Sequence, residues 1–415
     1  MKLFTLCAAS LLSIATFAQT TVVVNTNAGN TAQEFYSLQN GTISNPALAQ
    51  WDLAFETSGI TGSILVNTAK GIQVFKAPYT ITEWTMLDTS GLAVSWTPQQ
   101  NSETNWSSGA LNQGLTSNPF DLGWGIYNMV SHNITGDSLF VLKLADGSWK
   151  KLRIDGYAST TNAFTFTWAD LDGGAEQVGS IVRGDYSSMN FGYYSLETNS
   201  PLAQEPDAST WDLVFTKYLG FVTQPAEGFY PVVGCFQNRE VQALQVDGVP
   251  SESASWSGGT FSDDMNVIGF DWKNFNMTTF VWEYTPDRTY FVQDRDGNIW
   301  KLIFTEYGGG ATGTITFTQE LVSATSVNEY GTNGSAIIFP NPTNGSSVNV
   351  LLDIPANEAQ LTISAVNGKL VQSQKLTGIN PLAIRTLDVS SLTQGVYMVR
   401  IAHVSGVTNT KLVIE

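Results

Sequence analysis

The feature that most constrains this chain is an internal repeat. WDLAF at residues 51–55 returns as WDLVF at residues 211–215, an offset of 160 residues counted from 51 to 211. Upstream, FYSL at 35–38 returns as YYSL at 193–196, and downstream the block at 140–152 returns at 291–302. Blocks that recur in one order with drifting offsets indicate two homologous domains. The period is too long for a solenoid unit, so each copy is expected to bury its own core.

The composition favours strands and turns. Of the 415 residues only 13% are charged, whereas 12% are aromatic and glycine is abundant, and no long stretch has helical periodicity. The net charge of −17 comes from scattered carboxylates without a basic patch. Nucleic acid and anionic membrane surfaces are therefore excluded as partners, because a chain of this charge repels both.

Each copy contains a predicted β-hairpin built on an Asp-Gly turn. Residues 138–144 and 149–154 flank Gly147, and residues 289–293 and 299–304 flank Gly297. Glycine adopts the positive φ of such turns without steric cost. Another strand follows each hairpin, at 163–168 and 314–318. We predict an all-β chain with antiparallel copies at 20–175 and 185–322.

Both termini differ from the copies. Residues 1–18 have the positive start, apolar run and small final residue of a signal peptide. The run is too short to span a bilayer, so no transmembrane segment is predicted. A polar linker at 323–335 precedes residues 336–415, where short strands turn at Gly368 and Gly395. That spacing predicts an immunoglobulin-like β-sandwich.

This last segment resembles the type A C-terminal sorting domain of the type IX secretion system. The blocks are FPNP (339–342), VNGKLV (366–371), LDVSSL (387–392), GVYMVRI (395–401) and KLVI (411–414). The residues taken as the sorting motif are Phe339, Pro340, Asn341, Pro342, Gly368, Gly395, Tyr397 and Lys411. The resemblance implies the type IX machinery as a partner and a secreted or outer-membrane-surface location.

The two copies resemble the HmuY family of β-rich secreted or surface proteins. The resemblance is carried by FYSL and WDLAF with the first hairpin, and by WDLVF with the second hairpin at 290–307. It implies that a copy could capture haem, with His or Met as axial ligands of the iron. The haem possibility stands as an alternative, and no cofactor is expected.

The candidate haem ligands are mostly methionines. Met129 and Met277 occupy equivalent positions in the two copies, and Met86 and Met265 lie in the central part of each copy. A Met–Met pair in each copy is conceivable, Met86 with Met129 and Met265 with Met277. Methionine is also a common filler of apolar cores, and that packing role is the preferred interpretation.

His132 is the weaker ligand candidate. It aligns with Phe280 of the second copy, whose ring cannot bind iron. A site that holds His in one copy and Phe in the other is expected to be a packing position. The other histidine of the mature chain, His403, belongs to the sorting segment.

Catalytic motifs are missing from the sequence. It contains no Gly-x-Ser-x-Gly elbow and no Cys/His cluster for zinc. We therefore expect a non-enzymatic secreted or surface-displayed protein that binds an unidentified small ligand or protein.

The first alternative is haem or porphyrin capture through methionines. The second is carbohydrate binding, because indole faces stack on sugars and several tryptophans lie in polar loops, namely Trp84, Trp96, Trp106 and Trp256. Trp51 and Trp211 are expected in the core.

Overall fold

The computed structural model describes residues 19–59, 61–113, 117–223, 226–323, 335–354, 356–365, 369–379, 383–404 and 406–415. Antiparallel sheets dominate, which confirms the predicted all-β class. The chain forms two compact units, Met1–Thr325 and Ser326–Glu415. The predicted signal peptide at 1–18 and most of the predicted linker fall outside the described residues. In the described part of the chain, no helix has the length and apolar character needed to cross a membrane.

The strands of the larger unit follow one another in chain order. They are β1 Thr20–Asn25, β2 Glu34–Ser37, β3 Gly41–Ser44, β4 Leu53–Glu56, β5 Ile64–Val66, β6 Gln73–Thr80, β7 Pro98–Gln99, β8 Gly125–Tyr127, β9 Ile134–Gly136, β10 Ser138–Lys143, β11 Trp149–Ala158, β12 Ala163–Asp170, β13 Gln177–Val182, β14 Phe191–Ser195, β15 Ser200–Leu202, β16 Leu213–Val222, β17 Gly228–Gln237, β18 Gln242–Val246, β19 Lys273–Asn276, β20 Val281–Tyr284, β21 Thr289–Gln293, β22 Ile299–Tyr307 and β23 Thr314–Ser323.

Helices in this unit are short. Two α-helical turns are α1 Leu92–Ser95 and α2 Gly309–Thr312. The 3-10 turns are Ala28–Asn30, Leu48–Gln50, Thr68–Lys70, Ile81–Met86, Arg183–Tyr186 and Ala208–Thr210. Each of these lies in a connection between strands, so the packed layers are sheets.

The two predicted Asp-Gly hairpins are confirmed. Strand β10 pairs with β11 up to Lys143 opposite Trp149, and β21 pairs with β22 up to Gln293 opposite Ile299. Gly147 has φ 86° and Gly297 has φ 80°. These left-handed values are the reason why each turn carries glycine.

Strands β4–β15 form one half of the unit, which we call half A. Its larger sheet has the order β13-β12-β11-β10-β6-β7, with the β8–β9 hairpin attached to β11, and its smaller sheet has the order β15-β14-β4-β5. The two sheets enclose one aromatic core, in which Phe55 stacks on Phe166 and Tyr194 packs edge-on against Phe166.

Half B is assembled from two distant parts of the chain, β1–β3 and β16–β23. Its two larger sheets have the orders β1-β23-β22-β21-β18 and β17-β16-β2-β3, and β19 pairs with β20 in a separate hairpin. Thr20 lies opposite Gln319, and Tyr36 lies opposite Leu213. Tyr36 also packs edge-on against Phe317 in the core of this half. The N-terminal strands therefore complete sheets that the C-terminal part of the unit begins.

The halves of the fold do not coincide with the copies in the sequence. Strands β1–β3 belong to the first copy but lie in half B, whereas β14 and β15 belong to the second copy but lie in half A. The gap between the predicted copies, residues 176–184, contains β13, which pairs with β12 inside half A. The physical reason is the repeat itself: FYSL and YYSL are equivalent, and each pairs with the motif strand of the other copy, β2 with β16 and β14 with β4.

The smaller unit contains β24 Ser335–Phe339, β25 Ser347–Asp353, β26 Glu358–Ala365, β27 Leu370–Thr377, β28 Ala383–Asp388, β29 Gly395–His403 and β30 Gly406–Ile414. One sheet has the order β24-β25-β28 and the other has the order β27-β26-β29-β30. Val350 from the first sheet and Leu361 and Val399 from the second share one buried core. This is the predicted immunoglobulin-like sandwich.

Candidate functional site

The Trp-Asp-Leu motif of each copy (residues 51–53 and 211–213) is hydrogen-bonded to the Tyr-Ser-Leu motif of the other copy (residues 194–196 and 36–38). The Leu196 backbone N–H donates to Asp52 Oδ2 at 2.6 Å, and the Leu38 N–H donates to Asp212 Oδ2 at 2.7 Å. Lys70 Nζ also pairs with Asp52 Oδ1 at 2.7 Å. Burial raises the pKa of Asp212 to about 6. These equivalent contacts fix where the neighbouring tryptophans lie.

The motif strands bury both of their faces. In β4, Leu53 and Phe55 enter the half A core, while Ala54 and the preceding Trp51 face the opposite way. Side chains alternate along a strand, so one face serves the core and the other serves a second buried surface. Strand β16 repeats the pattern, and Trp211 lies on the equivalent outer face. The two outer faces meet where half A contacts half B.

An aromatic cleft lies between these faces. Trp51 packs edge-on against Tyr193 at a centroid distance of 5.1 Å, and Trp211 packs edge-on against Phe35 at 5.0 Å. The cavity has a volume of about 90 Å³. Its large side chains come from both halves and are Trp51, Leu65, Trp106, Phe191 and Tyr193 with Phe35, Trp211, Val214, Tyr218, Phe236 and Met265. A concavity that combines aromatic and apolar side chains with polar groups is a common setting for ligand binding.

Polar atoms of the cleft residues are left without partners. Within the described residues, Trp51 Nε1, Trp211 Nε1 and the Tyr218 hydroxyl are buried and form no hydrogen bond. Buried polar groups in proteins are normally paired, since an unpaired one costs about 1–3 kcal/mol. The two indoles are equivalent by the repeat. Trp51, Trp211 and Tyr218 all line the cleft, whereas Trp272, whose indole N–H is also unpaired among the described residues, lies in the half B core.

Trp106 closes the cleft from the connection between β7 and β8. The centroid of its ring lies 6.1 Å from the ring centroid of Phe191 in half A and 5.7 Å from that of Phe236 in half B. Its indole N–H donates to the Gln237 carbonyl at 2.9 Å. The ring is therefore fixed between the halves, with its orientation set by a backbone contact to half B.

An ion pair also joins the halves. Arg239 Nη2 lies 2.6 Å from Glu56 Oε1, and the side chains of the two residues are 23% and 1% exposed. The Ser107 hydroxyl donates to the same carboxylate at 3.0 Å. Glu56 is thus buried with its charge satisfied from both halves, next to Trp106.

Glu205 is the buried carboxyl of the cleft lining. The Tyr193 hydroxyl donates to Glu205 Oε2 at 2.8 Å, and the Asn190 N–H donates to Oε1. Desolvation raises the pKa of Glu205 to about 7, although both hydrogen bonds oppose the shift. The carboxyl therefore changes charge near neutral pH inside the cleft lining.

A polar groove continues from the cleft. It has a volume of about 490 Å³, and its lining runs from Thr97 to Glu103 with Gln113 and Phe229. Residues 100–103 line both the cleft and the groove. Gln99 Oε1 and Gln100 Oε1 are buried without a partner among the residues that the structure describes. The cleft and the groove are thus parts of one surface.

The methionines predicted as haem ligands lie in different environments. Met86, Met129 and Met277 are 67%, 64% and 72% exposed, whereas Met265 is 4% exposed and lines the cleft. Met129 and Met277 occupy equivalent hairpin tips, as the alignment predicted. The structure does not bring Met265 and Met277 into a common site, since one is buried against Trp211 and the other is exposed.

His132 also lies at a hairpin tip. Its N–H donates to the Asn128 carbonyl, as the Phe280 N–H does to Asn276, both at 2.8 Å. Both residues have positive φ, 55° and 56°. The alignment of His132 with Phe280 is therefore right, but the expected packing position is an exposed turn. The ring of His132 contacts the Tyr127 hydroxyl through Nδ1 at 2.7 Å.

The four loop tryptophans lie in different environments. Trp84 is buried at 6% exposure and donates to Glu176 at 2.9 Å. Trp96 and Trp256 are half-buried outside the cleft lining. Trp106 joins the cleft, together with Trp51 and Trp211, which the sequence assigned only to a core. The missed signal was that WDLAF and WDLVF are apolar at every position except Asp, so both strand faces must be covered.

The sorting-motif residues organise the end of the smaller unit. Asn341 Nδ2 donates to the Lys411 carbonyl at 2.6 Å, and the Val413 N–H donates to Asn341 Oδ1 at 2.9 Å. Tyr397 is buried and donates to the Thr393 carbonyl at 2.7 Å. The Pro-Asn-Pro turn is thereby fixed to β30. Gly368 lies outside the described residues.

Comparison with known proteins identifies a family for the smaller unit. Residues 337–415 match the family model of the secretion system C-terminal sorting domain. No curated protein matches the chain. A solved structure of a biofilm associated protein, its BSP domain, aligns at 9% identity over 100% of this chain and 84% of that chain, with a TM-score of 0.17, too low to indicate a shared fold. Residues 337–415 are thus a type IX sorting domain, and the protein is exported by type IX secretion to the cell surface or the extracellular space.

Proposed function

We propose that residues 19–323 form a non-enzymatic binding module, which takes a small ligand into the aromatic cleft between halves A and B. The observation that carries this proposal is the pair of equivalent indole N–H groups, Trp51 and Trp211, buried in the cleft walls without partners among the described residues. The sorting domain delivers this module to the outside of the cell. The partner class is therefore a molecule that the exterior supplies.

The chemistry of the lining supports binding over catalysis. Its carboxyl and amine side chains are Glu103, Glu205 and Lys217, as far as the structure describes the cleft. Glu205 is held by the Tyr193 hydroxyl, and Glu103 accepts from the Phe221 N–H at 2.8 Å. General acid–base work needs a group placed against a reacting atom, whereas these carboxyls are engaged by the protein itself.

Haem capture, implied by the resemblance to the HmuY family, is the less supported ligand assignment. Met265 is the ligand candidate that lines the cleft. Met86, Met129 and Met277 are exposed, and a cavity of about 90 Å³ is small for a macrocycle. The cleft favours a smaller ligand that donates and accepts hydrogen bonds.

A ligand-observed NMR screen of polar fragments against the full-length protein tests the proposal. Ala69 lines the cleft at the half-buried turn Thr68–Lys70. Replacing it by the larger residue in Ala69→Trp should obstruct the cleft and abolish the saturation-transfer signals of fragments that bind there.

The matched control is Ala93→Trp, which adds the same ring to the exposed helix α1 outside the lining. It should leave the signals unchanged. Fragment signals that persist in Ala69→Trp, or an absence of signals in the unmodified protein, would contradict a binding role for this cleft.

A further inference from the structure

We infer that the ligand class of this site is a neutral oligosaccharide, with one sugar ring among the cleft aromatics and the next sugars along the polar groove. The inference rests on the binding function proposed above and adds the chemistry of the ligand. It places the sugar on Trp51 and Trp211, which the sequence assigned to a core, and near Trp106, the loop tryptophan that lines the cleft.

The first step is the mixture of unpaired groups. The cleft holds two indole donors, Trp51 Nε1 and Trp211 Nε1, and the shared wall holds an amide acceptor, Gln100 Oε1, none of which has a partner in the described chain. An indole N–H only donates, and an amide oxygen only accepts. A ligand that satisfies both needs donors and acceptors around its rim, and a hydroxyl supplies both from one atom.

The second step is the shape of the walls. Aromatic rings from both halves surround the cavity, including Phe35 against Trp211 and Tyr193 against Trp51. A sugar ring presents C–H groups on its faces and hydroxyls at its edge, so it can pack on aromatic rings while its edge reaches the indoles and amides. A purely apolar ligand would leave those buried groups unpaired, which disfavours it.

The third step is charge. The chain has a net charge of −17, and Glu103 and Glu205 line the cleft beside the single amine of Lys217 within the described lining. An anionic ligand would meet carboxyls that are already buried, so a neutral ligand is favoured.

The fourth step is continuity. The groove shares residues 100–103 with the cleft and adds Gln99, whose Oε1 has no partner in the described structure. Phe229 borders the groove, packs edge-to-face with Phe221 and is 47% exposed, so part of its ring is open to a second sugar. A ligand longer than one ring therefore gains contacts outside the cleft.

Calorimetric titration of the full-length protein tests the inference. The probes are neutral gluco-, manno-, galacto- and xylo-oligosaccharides of one to six units, with oligogalacturonates as acidic counterparts and neutral tripeptides as the peptide alternative. We expect at least one neutral series to bind, with affinity rising from one to three units, and the acidic series to bind more weakly.

Two substitutions locate the binding. Trp51→Phe and Trp211→Phe keep a ring but remove the N–H, so each should weaken the best probe by about tenfold. Trp256→Phe, outside the lining, should leave the affinity unchanged. Phe229→Ala should weaken the three-unit probe and not the single sugar. Near-UV circular dichroism confirms that each variant is folded.

The outcomes separate this inference from the proposed function. Binding that survives both tryptophan substitutions overturns the placement of the sugar. If no oligosaccharide binds while tripeptides or the polar fragments still enter the cleft, the ligand class is wrong and the binding function stands. If neither sugars nor fragments bind, both are overturned.

Discussion

The Asp52 carboxylate accepts a hydrogen bond of 2.6 Å from the Leu196 N–H, 144 residues away in the chain. Asp212 makes the same contact with Leu38, 174 residues away and in the opposite direction. Each Trp-Asp-Leu motif is thus completed by the Tyr-Ser-Leu motif of the other copy. The halves of the fold, rather than the copies in the sequence, are the units to separate experimentally.

Half A should fold without half B. A fragment of residues 46–210 contains β4–β15 and the whole half A core, so it should give a β-type far-UV spectrum and a cooperative urea transition. A fragment of residues 20–179, cut at the sequence seam, carries β1–β3 without their partners and lacks β14. It should not unfold cooperatively. A cooperative transition for 20–179 and none for 46–210 would refute the assignment of the halves.

Breaking the ion pair between the halves should be costly. Arg239→Ala leaves the 1% exposed Glu56 side chain without its cation, which should lower the free energy of unfolding by about 3 kcal/mol. Lys150→Ala removes the partner of Asp170, which is 44% exposed, and should cost less than about 1 kcal/mol. Urea unfolding is followed by tryptophan fluorescence, which reports only on the larger unit because no tryptophan follows Trp300. Equal losses in the two variants would contradict this prediction.

Stability should fall as the pH rises toward neutrality. Burial raises the pKa of Glu205 from its ordinary 4.5 to about 7, so between these values the folded state binds more protons than the unfolded state. The protonated carboxyl makes its full contribution to the free energy of unfolding below about pH 4.5. This contribution is lost as the pH rises through about 7, and the free energy of unfolding then falls by at most about 1.4 kcal/mol per pH unit. Glu205→Gln should reduce this slope in urea titrations from pH 5 to 8. Glu252→Gln changes an exposed position and serves as the control. An unchanged slope in Glu205→Gln would show that Glu205 does not cause the pH dependence of stability.

Haemin titration tests the haem alternative. We expect no Soret shift that depends on methionine, because Met129 and Met277 lie exposed at hairpin tips while Met265 is buried. His132→Phe should change stability by less than about 0.5 kcal/mol, since the ring is exposed and Phe280 fills the equivalent turn. A Soret band lost in Met129→Ala or in His132→Phe would restore haem as a ligand.

Export should depend on the smaller unit alone. Deleting residues 337–415 removes the whole sorting domain and should leave the folded larger unit in the periplasm, as measured by immunoblots of cell fractions. Asn341→Ala, which frees the turn from β30, should lower export, and Lys375→Ala on an exposed strand position should not. Wild-type amounts of the deletion variant in the medium would disprove the role of this domain.

The sequence predicted local structure better than long-range pairing. Asp146 and Gly147 specify their hairpin through turn chemistry that acts within a few residues, and the prediction was confirmed. The exchange of β2 and β14 could not be read, because Phe35 and Tyr193 offer similar rings to equivalent partners. The residue pattern is the same for pairing within a copy and across copies, and the structure has the pairing across copies.

The cleft was hidden for a related reason. Trp51 and Trp211 were predicted to be buried, and they are. Burial alone does not tell a core from an internal boundary between two cores. The distinction lies in the neighbours of the two rings, which line one cleft together with residues of both halves, and these neighbours become visible only when the surrounding atoms are placed.

The strand exchange affects how the exported protein responds to proteolytic cleavage. Half A and half B are connected by two chain crossings, 45–52 and 203–212. A single proteolytic cut at either crossing leaves the other intact. A cut at the first frees residues up to 44 from the backbone, yet β1 and β2 stay paired to β23 and β16. A protein displayed among foreign proteases can therefore be nicked at one crossing and still hold its two halves together.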